Sequence, residues 1–318
     1  MDFCNPARGH VVNRYARQIS LPEIGRQGQQ RLASSRVLVA GAGGLGANLL
    51  PLLSGAGIGQ IRLYDPDCIE ETNLHRQTLF RTGDIGRPKA VVAAETLTLL
   101  NPDCQVVPLV TRLDPYAARM EVPSADIVID AADSFAVSYS LSDQCRKTGR
   151  PLISASVLGR RGYAGGFCAG APSLRAVFPD PPGQLENCNT QGVMGPAVAI
   201  LGAFQAQMAL SVLLGFDPSP LGQMLSFDLA DWRMSGFRFD DAAEPEVAGP
   251  EVISSSDIRP GDIVIDLRQV DAARFSPDPD PSRRVVFVCN TGLRAWRAAR
   301  ALKAVGHDRV AIIGDGDG

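Results

Sequence analysis

Residues 41–46 read Gly-Ala-Gly-Gly-Leu-Gly and stand between an apolar run and a helix-forming stretch. Glycines in such a turn let the backbone approach a phosphate, and the first N–H groups of the helix are free to receive it. Gly41, Gly43, Gly44 and Gly46 are therefore candidate nucleotide contacts. Asp65, nineteen residues beyond Gly46, closes the next apolar run, where an acid can accept a ribose hydroxyl. Alone, the two features fit NAD, FAD or ATP equally. A polar cluster separates these ligands: Asp67, then Asn73, Arg76 and Gln77, then Lys89. A dinucleotide rests its pyrophosphate on helix amides, whereas a triphosphate brings about two further charges that call for arginine, lysine and a metal. Arg76 and Lys89 are placed to meet those charges.

A frame must hold these residues at one edge. Residues 37–40, 61–64, 106–110, 127–130 and 151–153 are compact apolar runs of the kind a parallel sheet buries. Helical stretches at 26–35, 46–56, 87–100 and 137–148 alternate with them, which predicts an α/β fold. The expected form is a Rossmann-like, mostly parallel sheet with helices on both faces. Asp133 follows the strand ending at Asp130, at the carboxyl edge where ligands bind; the plain alternative for it is a helix N-cap. Residues 170–190 form a proline-rich crossing of unusual length, followed by a long apolar helix. Residues 241–250 are acidic and proline-bearing and read as a linker. After it, strands at 263–267, 285–288 and 310–313 and a helix at 295–305 predict a small second α/β domain, giving units 1–240 and 251–318.

The chain has 318 residues, 31 Lys plus Arg, 34 Asp plus Glu and a formal charge of −3, so it lacks the positive field of nucleic-acid and anionic-membrane binders. Stretches 37–59 and 192–216 pass eighteen residues without charge, but the first holds seven glycines and the second holds Pro196, Gln205 and Gln207. Core segments are expected there, not membrane spans. The seven cysteines are an odd number with no C-x-x-C pair, and the first thirty residues hold no apolar leader core, so a cytoplasmic location is expected.

Several motifs together carry a resemblance: Arg14-Tyr-Ala-Arg17-Gln, the glycine loop, the stretch from Asp65 to Gln77, Ile-Gly-Arg-Pro-Lys89-Ala, Asp130-Ala-Ala-Asp133-Ser and Asn-Cys188-Asn-Thr-Gln-Gly-Val-Met-Gly-Pro. The region from Arg14 to about Asp240 resembles the ThiF/MoeB/HesA family, bacterial relatives of ubiquitin-activating enzymes. The resemblance implies a homodimer that uses ATP and Mg²⁺ to adenylate the C-terminal glycine of a ubiquitin-like sulfur carrier ending in Gly-Gly. It implies that Asp65 holds the ribose, that Asn73, Arg76 and Lys89 hold the phosphates, that Asp133 holds Mg²⁺, and that Arg17 reaches in from the partner subunit. Relatives usually have Asn and Arg where this chain has Ser134 and Ser138. They also commonly carry two C-x-x-C pairs for zinc. Residues 173–176 are Ser-Leu-Arg-Ala and no cysteine follows Phe239 until Cys289, so no structural zinc is expected.

Cys188, in the crossing before a helix, matches the cysteine that bonds to the carrier in ThiF-like relatives, and a helix N-terminus favours its thiolate. Cys289-Asn-Thr-Gly-Leu-Arg294 resembles a rhodanese loop, and Asp266-Leu-Arg268 that family's Asp-Val-Arg, although the usual Gly-His-Ile-Pro-Gly-Ala stretch is missing. A cysteine desulfurase or another donor would supply the sulfur. The variant motifs look more like a ThiF-type enzyme of thiamine thiazole synthesis than a MoeB-type enzyme serving molybdopterin. A nicotinamide-dependent oxidoreductase and a non-catalytic adaptor for a ubiquitin-like partner are the readings from other classes.

Overall fold

The structure is a computed structural model that describes residues 13–181, 192–246, 249–268, 282–290 and 292–314. Its main sheet has eight strands in the order β3-β2-β1-β4-β5-β6-β7-β8. The first five in that order, β1 (Arg36–Ala40), β2 (Gln60–Tyr64), β3 (Gln105–Leu109), β4 (Ile127–Asp130) and β5 (Leu152–Leu158), pair in parallel. The last three, β6 (Arg161–Phe167), β7 (Gln223–Asp228) and β8 (Arg233–Arg238), add antiparallel.

In chain order the helices of this part are α1 (Ala16–Ile19), α2 (Gly25–Ser34), α3 (Gly44–Ala56), α4 (Lys89–Leu100), α5 (Pro115–Glu121), α6 (Phe135–Thr148), α7 (Leu174–Val177) and α8 (Gly195–Leu214). Alternation along each strand splits the core between two faces. Val37, Val39, Ile61 and Ile129 pack with Leu49 and Leu53 of α3, Leu97 of α4 and Leu201 of α8. Leu38, Ala40, Val128 and Leu152 pack with Ala118 of α5, Val137 and Leu141 of α6 and Leu174 of α7. Each valine, leucine or isoleucine among them withdrawn from water contributes roughly 1.5–3 kcal/mol.

The structure adds strands that periodicity did not predict. In β6, Gly162, Gly165 and Gly166 replace the β-branched residues that mark a strand. They are small because neighbours come close: a Cβ on Gly162 would lie 2.5 Å from Leu201 Cδ1, and one on Gly166 2.5 Å from the Pro220 carbonyl oxygen. β8 is exposed along its whole length and so shows no alternation. Helix α8 has 20 residues and reaches mean hydropathy 1.9 over an 18-residue window, long and apolar enough to cross a membrane, yet half of that window is buried. It packs on α3 and on β5 and β6 of the main sheet.

A separate parallel sheet, ordered β10-β11-β12-β9, begins with β9 (Glu251–Val252), too short for sequence detection, and continues with β10 (Ile263–Asp266), β11 (Val285–Cys289) and β12 (Val310–Gly314). Helix α9 (Leu293–Ala304) covers one face, and Ala136 and Tyr139 of α6 join the same apolar cluster. Arg119 of α5 forms a paired salt bridge with Asp257 at 2.7 and 2.8 Å, and the Ser254 hydroxyl donates to Asp114.

Two glycines of α3 should respond oppositely to a methyl group. A Cβ on Gly46 would lie 2.1 Å from the Gly41 carbonyl oxygen, whereas Gly55 faces open space. Urea unfolding should show Gly46→Ala destabilised by about 1–3 kcal/mol and Gly55→Ala stabilised by about 0.5–1 kcal/mol.

Candidate functional site

The strand order reverses between β1 and β4, and there the loops leaving the two strands touch. The Ala131 N–H donates to the Ala40 carbonyl at 2.9 Å, and the Gly41 N–H donates to the Tyr64 carbonyl at 2.8 Å. Gly41 has φ +100°, and a Cβ there would come within 2.5 Å of the Ala131 carbonyl oxygen. Gly41 and Gly46 thus serve backbone packing. Gly43, at the N-cap of α3, is open, with only Gln77 Nε2 3.9 Å from its would-be Cβ. Near the would-be Cβ of Gly44 lie Val198 and the stem of Arg76.

Asp65 shapes this loop. One carboxylate oxygen accepts the Ala42 N–H at 2.6 Å and the other the Asp67 N–H at 2.9 Å. Burial raises its carboxyl above the usual range, while the Ala42 bond and Lys89 pull it down. Each oxygen keeps a further lone pair for a ligand hydroxyl.

A short 3-10 turn, Glu71–Asn73, carries the basic side of the site. The N–H groups of Arg76 and Gln77 donate to the Asn73 carbonyl. The Asn48 amide ties this turn to α3 by donating to the Gly44 carbonyl at 2.8 Å and the Arg76 carbonyl at 3.2 Å. Sequence reasoning missed Asn48; its position four residues after Gly44 in a helix was the available signal. Arg76 Nη1 donates to the Thr72 carbonyl at 3.1 Å and lies 2.9 Å from His75 Nε2. Lys89 is 5% exposed, and its ammonium donates to Asp67 Oδ2 at 2.8 Å.

Three buried polar atoms here have no hydrogen-bond partner: Asn73 Oδ1, Gln77 Oε1 and Ser134 Oγ. Buried polar groups are satisfied as a rule, so orphans on the turn and loop surrounding an open glycine point to a polar ligand. The donor set fits a triphosphate, with a helix N-terminus, Arg76 and Lys89 converging at the switch point. Asp133 is exposed just beyond β4, and its hard carboxylate oxygens suit Mg²⁺. Asp133 does not cap α6; Ser134 holds the N-cap position and makes no side-chain cap bond.

Asp130 braces the loop that carries Asp133. Its carboxylate accepts the Ala132 N–H at 3.2 Å and the Ser154 hydroxyl at 2.8 Å, and its carbonyl accepts the amide of buried Gln205 at 2.6 Å. Burial pushes its carboxyl up to about 6.

The structure does not bring every expected residue here. Arg17 is exposed on α1, and the neighbouring Gln18 donates to the Ala56 carbonyl at the far end of α3. That helix has 13 residues and spans about 20 Å, so Arg17 lies well away from its own glycine loop. Cys188 lies outside the described residues. Cys289 is 2% exposed at the end of β11, and its sulfur accepts the Ala295 N–H at 3.3 Å.

Fold and site define an α/β protein of the nucleotide-binding type with its candidate site at a topological switch point. The ThiF family matches residues 15–247, and the chain belongs to that family. It is 39% identical over 232 residues to the Sulfur carrier protein ThiS adenylyltransferase of Escherichia coli, covering 71% of this chain and 91% of that protein. The Sulfur carrier protein adenylyltransferase of Thermus thermophilus is 37% identical, covering 68% and 83%. The Adenylyltransferase and sulfurtransferase MOCS3 of Bos taurus is 41% identical over 68% of this chain but only 48% of its own length. Escherichia coli MccB, whose structure was determined with ATP, shares the fold at TM-score 0.64 and 24% identity, covering 74% of each chain. The chain is an adenylyltransferase of the ThiF/MoeB type.

Asp130 gives the fold an unusual pH response. Its carboxyl stands at about 6 in the fold against 3.8 as the ordinary value. Its contribution is therefore fully present below the lower value and is lost as pH rises through the upper one. Between about pH 5 and about pH 7 the wild type should lose about 1 kcal/mol relative to Asp130→Asn, read by urea unfolding at each pH.

Proposed function

We propose that this chain uses ATP to adenylate the C-terminal glycine of a ubiquitin-like sulfur carrier protein ending in Gly-Gly, of the ThiS type, for sulfur transfer in thiamine thiazole synthesis. The observation that carries the reading is the set of unpaired buried atoms on Asn73, Gln77 and Ser134, with Gln77 beside the open Gly43 and the stem of Arg76 beside Gly44. The likeness to adenylyltransferases named for sulfur carriers supports the choice of substrate.

In this reading the carrier's carboxylate oxygen attacks the α-phosphorus, a new P–O bond forms, and the bond to the bridging oxygen breaks. Pyrophosphate leaves with the electron pair. Arg76 and Lys89 stand where that negative charge grows, and fixed cations lower the barrier without reorganising. Asp65 holds the ribose, and Gly43 and Gly44 let the phosphates approach the backbone. Asp133 is the residue that would hold Mg²⁺, whose chemistry here is charge neutralisation across the phosphate oxygens. The distance of Arg17 from its own glycine loop supports a homodimer in which each subunit lends this arginine to the other. The Cys188 thiolate then attacks the acyl-adenylate carbonyl, and a C–S bond forms as the acyl–phosphate bond breaks and AMP leaves. Cys289 in a rhodanese-like module of residues 251–318 hands on the outer sulfur of a persulfide received from a desulfurase or another persulfide donor. The protein works in the cytoplasm and carries no structural zinc. The segment that relatives use for zinc is instead tied by Ser173, whose N–H and hydroxyl both donate to Glu244 at 2.8 and 2.7 Å.

ATP–pyrophosphate exchange with Mg²⁺ should depend on a ThiS-type carrier and be weak with a MoaD-type carrier; silence with both would remove this reading. Asp133→Ala should lower exchange by about 100-fold or more. Cys188→Ala acts after exchange and should stop sulfur loading, read by mass spectrometry of the carrier. Elemental analysis should find no stoichiometric zinc, and a chelator should leave the melting temperature unchanged.

A further inference from the structure

We propose that the C-terminal sheet module is a positioning part of the nucleotide site, setting the placement of Asp133 through the first turn of α6; this rests on the reading of Asp133 as the carboxylate that meets Mg²⁺ and ATP. Helix α6 begins at Phe135, two residues after Asp133, and its N-cap Ser134 makes no side-chain cap bond. Without that cap, the first turn of α6 has no local side-chain hydrogen bond to fix it, so its packing contacts matter more to where it sits.

What packs there is the module's backbone. A Cβ on Gly314, at the end of β12, would lie 2.7 Å from Ala136 Cβ. A Cβ on Gly292, in the turn after β11 with φ +80°, would lie 3.1 Å from both Ala136 Cβ and Phe135 Cζ. Glycine at both positions lets the first turn of α6 seat directly on the module. Phe135 meets the Trp296 ring edge-on at 6.4 Å and the Tyr139 ring edge-on at 6.0 Å.

A latch holds this seat closed. The Trp296 indole N–H donates to Asp180 at 3.2 Å, and Arg300 pairs with the other oxygen of that carboxylate at 3.0 Å. The guanidinium of buried Arg175 lies 4.5 Å from the Tyr139 ring centre and 5.1 Å from that of Trp296. The same guanidinium grips Asp143 of α6 at 2.6 and 2.9 Å. Helix α9, the crossing and α6 thus share one buried cation. At the other end of the module, the Arg119–Asp257 and Ser254–Asp114 contacts fasten it to α5 and the turn before it.

Asp133 is therefore braced from two sides, by Asp130 through the Ala132 N–H within the main sheet and by the module through Phe135 and Ala136. Mg²⁺ demands near-ideal octahedral geometry, so a carboxylate whose support loosens loses the metal before the nucleotide. Trp296, Arg300 and Arg175 are positioning residues in this scheme and touch no ligand.

Two variants of the full-length protein test this: Trp296→Phe/Arg300→Ala, which keeps an aromatic ring beside Phe135 and Tyr139 and removes both donors to Asp180, and Ala136→Leu, which wedges the seat open. Equilibrium dialysis of ATP across a Mg²⁺ series should show the half-saturating Mg²⁺ concentration raised about tenfold in both variants. Binding without Mg²⁺ should stay within about twofold of wild type, and Arg300→Lys should behave as wild type. An unchanged Mg²⁺ dependence in both variants overturns the proposal, as does a parallel loss of ATP binding with and without Mg²⁺. A wild type that binds ATP with Mg²⁺ yet exchanges with neither carrier removes the carrier reading and leaves the dialysis comparison standing. Wild-type ATP binding that ignores Mg²⁺ removes the metal role of Asp133, and this proposal with it.

Discussion

Everything at the site depends on one close approach, that of the backbone after β1 to the backbone after β4. At Gly41 no side chain fits, because the Ala131 carbonyl occupies the space a Cβ would need. That contact brings the two halves of the parallel sheet together at their carboxyl ends. It aims the first turn of α3 and the loop bearing Asp133 at the same volume. The Asp65 carboxylate, held by two backbone N–H groups, and the Asp130 carboxylate, held by one backbone N–H and Ser154, lock the two loops from either side. The candidate site is the place where two strand ends cannot be pulled apart without breaking the sheet.

The parallel half of the sheet was legible because strands buried on both faces leave near-continuous apolar runs, as in Val37 to Ala40 and Ile127 to Asp130. The antiparallel half was not. Its signal is steric and non-local, lying in glycines such as Gly162 that make room for Leu201, and in β8, whose exposure erases alternation. The long apolar helix was readable as a core element from its polar residues, and Gln205 proves to be buried against the end of β4.

Residue types and spacing marked Asp65, Asn73, Arg76, Gln77 and Lys89, and the fold gathers them. What the linear pattern does not contain is who holds whom. Asp67 takes the Lys89 ammonium, Asn48 bridges two segments, and Ser134 displaces Asp133 from the N-cap position. Such partnerships depend on atoms meeting at hydrogen-bond distance, as Lys89 meets Asp67 across 22 positions and Asn48 meets Arg76 across 28. The small sheet shows the same limit. Its strands at 263, 285 and 310 were visible as apolar runs, whereas its attachment through Trp296, Arg175 and Asp180 joins residues more than a hundred positions apart.

The Lys89–Asp67 pair gives the buried ammonium its own counter-ion. Lys89 is sealed from water, but the Asp67 side chain is 60% exposed. The buried cation is thus neutralised by a carboxylate that can swing outward at little solvation cost. In the proposed reading, nucleotide entry would be an ion exchange, with a phosphate oxygen replacing a carboxylate oxygen on the same ammonium. A nucleoside without phosphates would then have nothing to trade for Asp67, and the ion pair would act as a sieve against the dephosphorylated ligand.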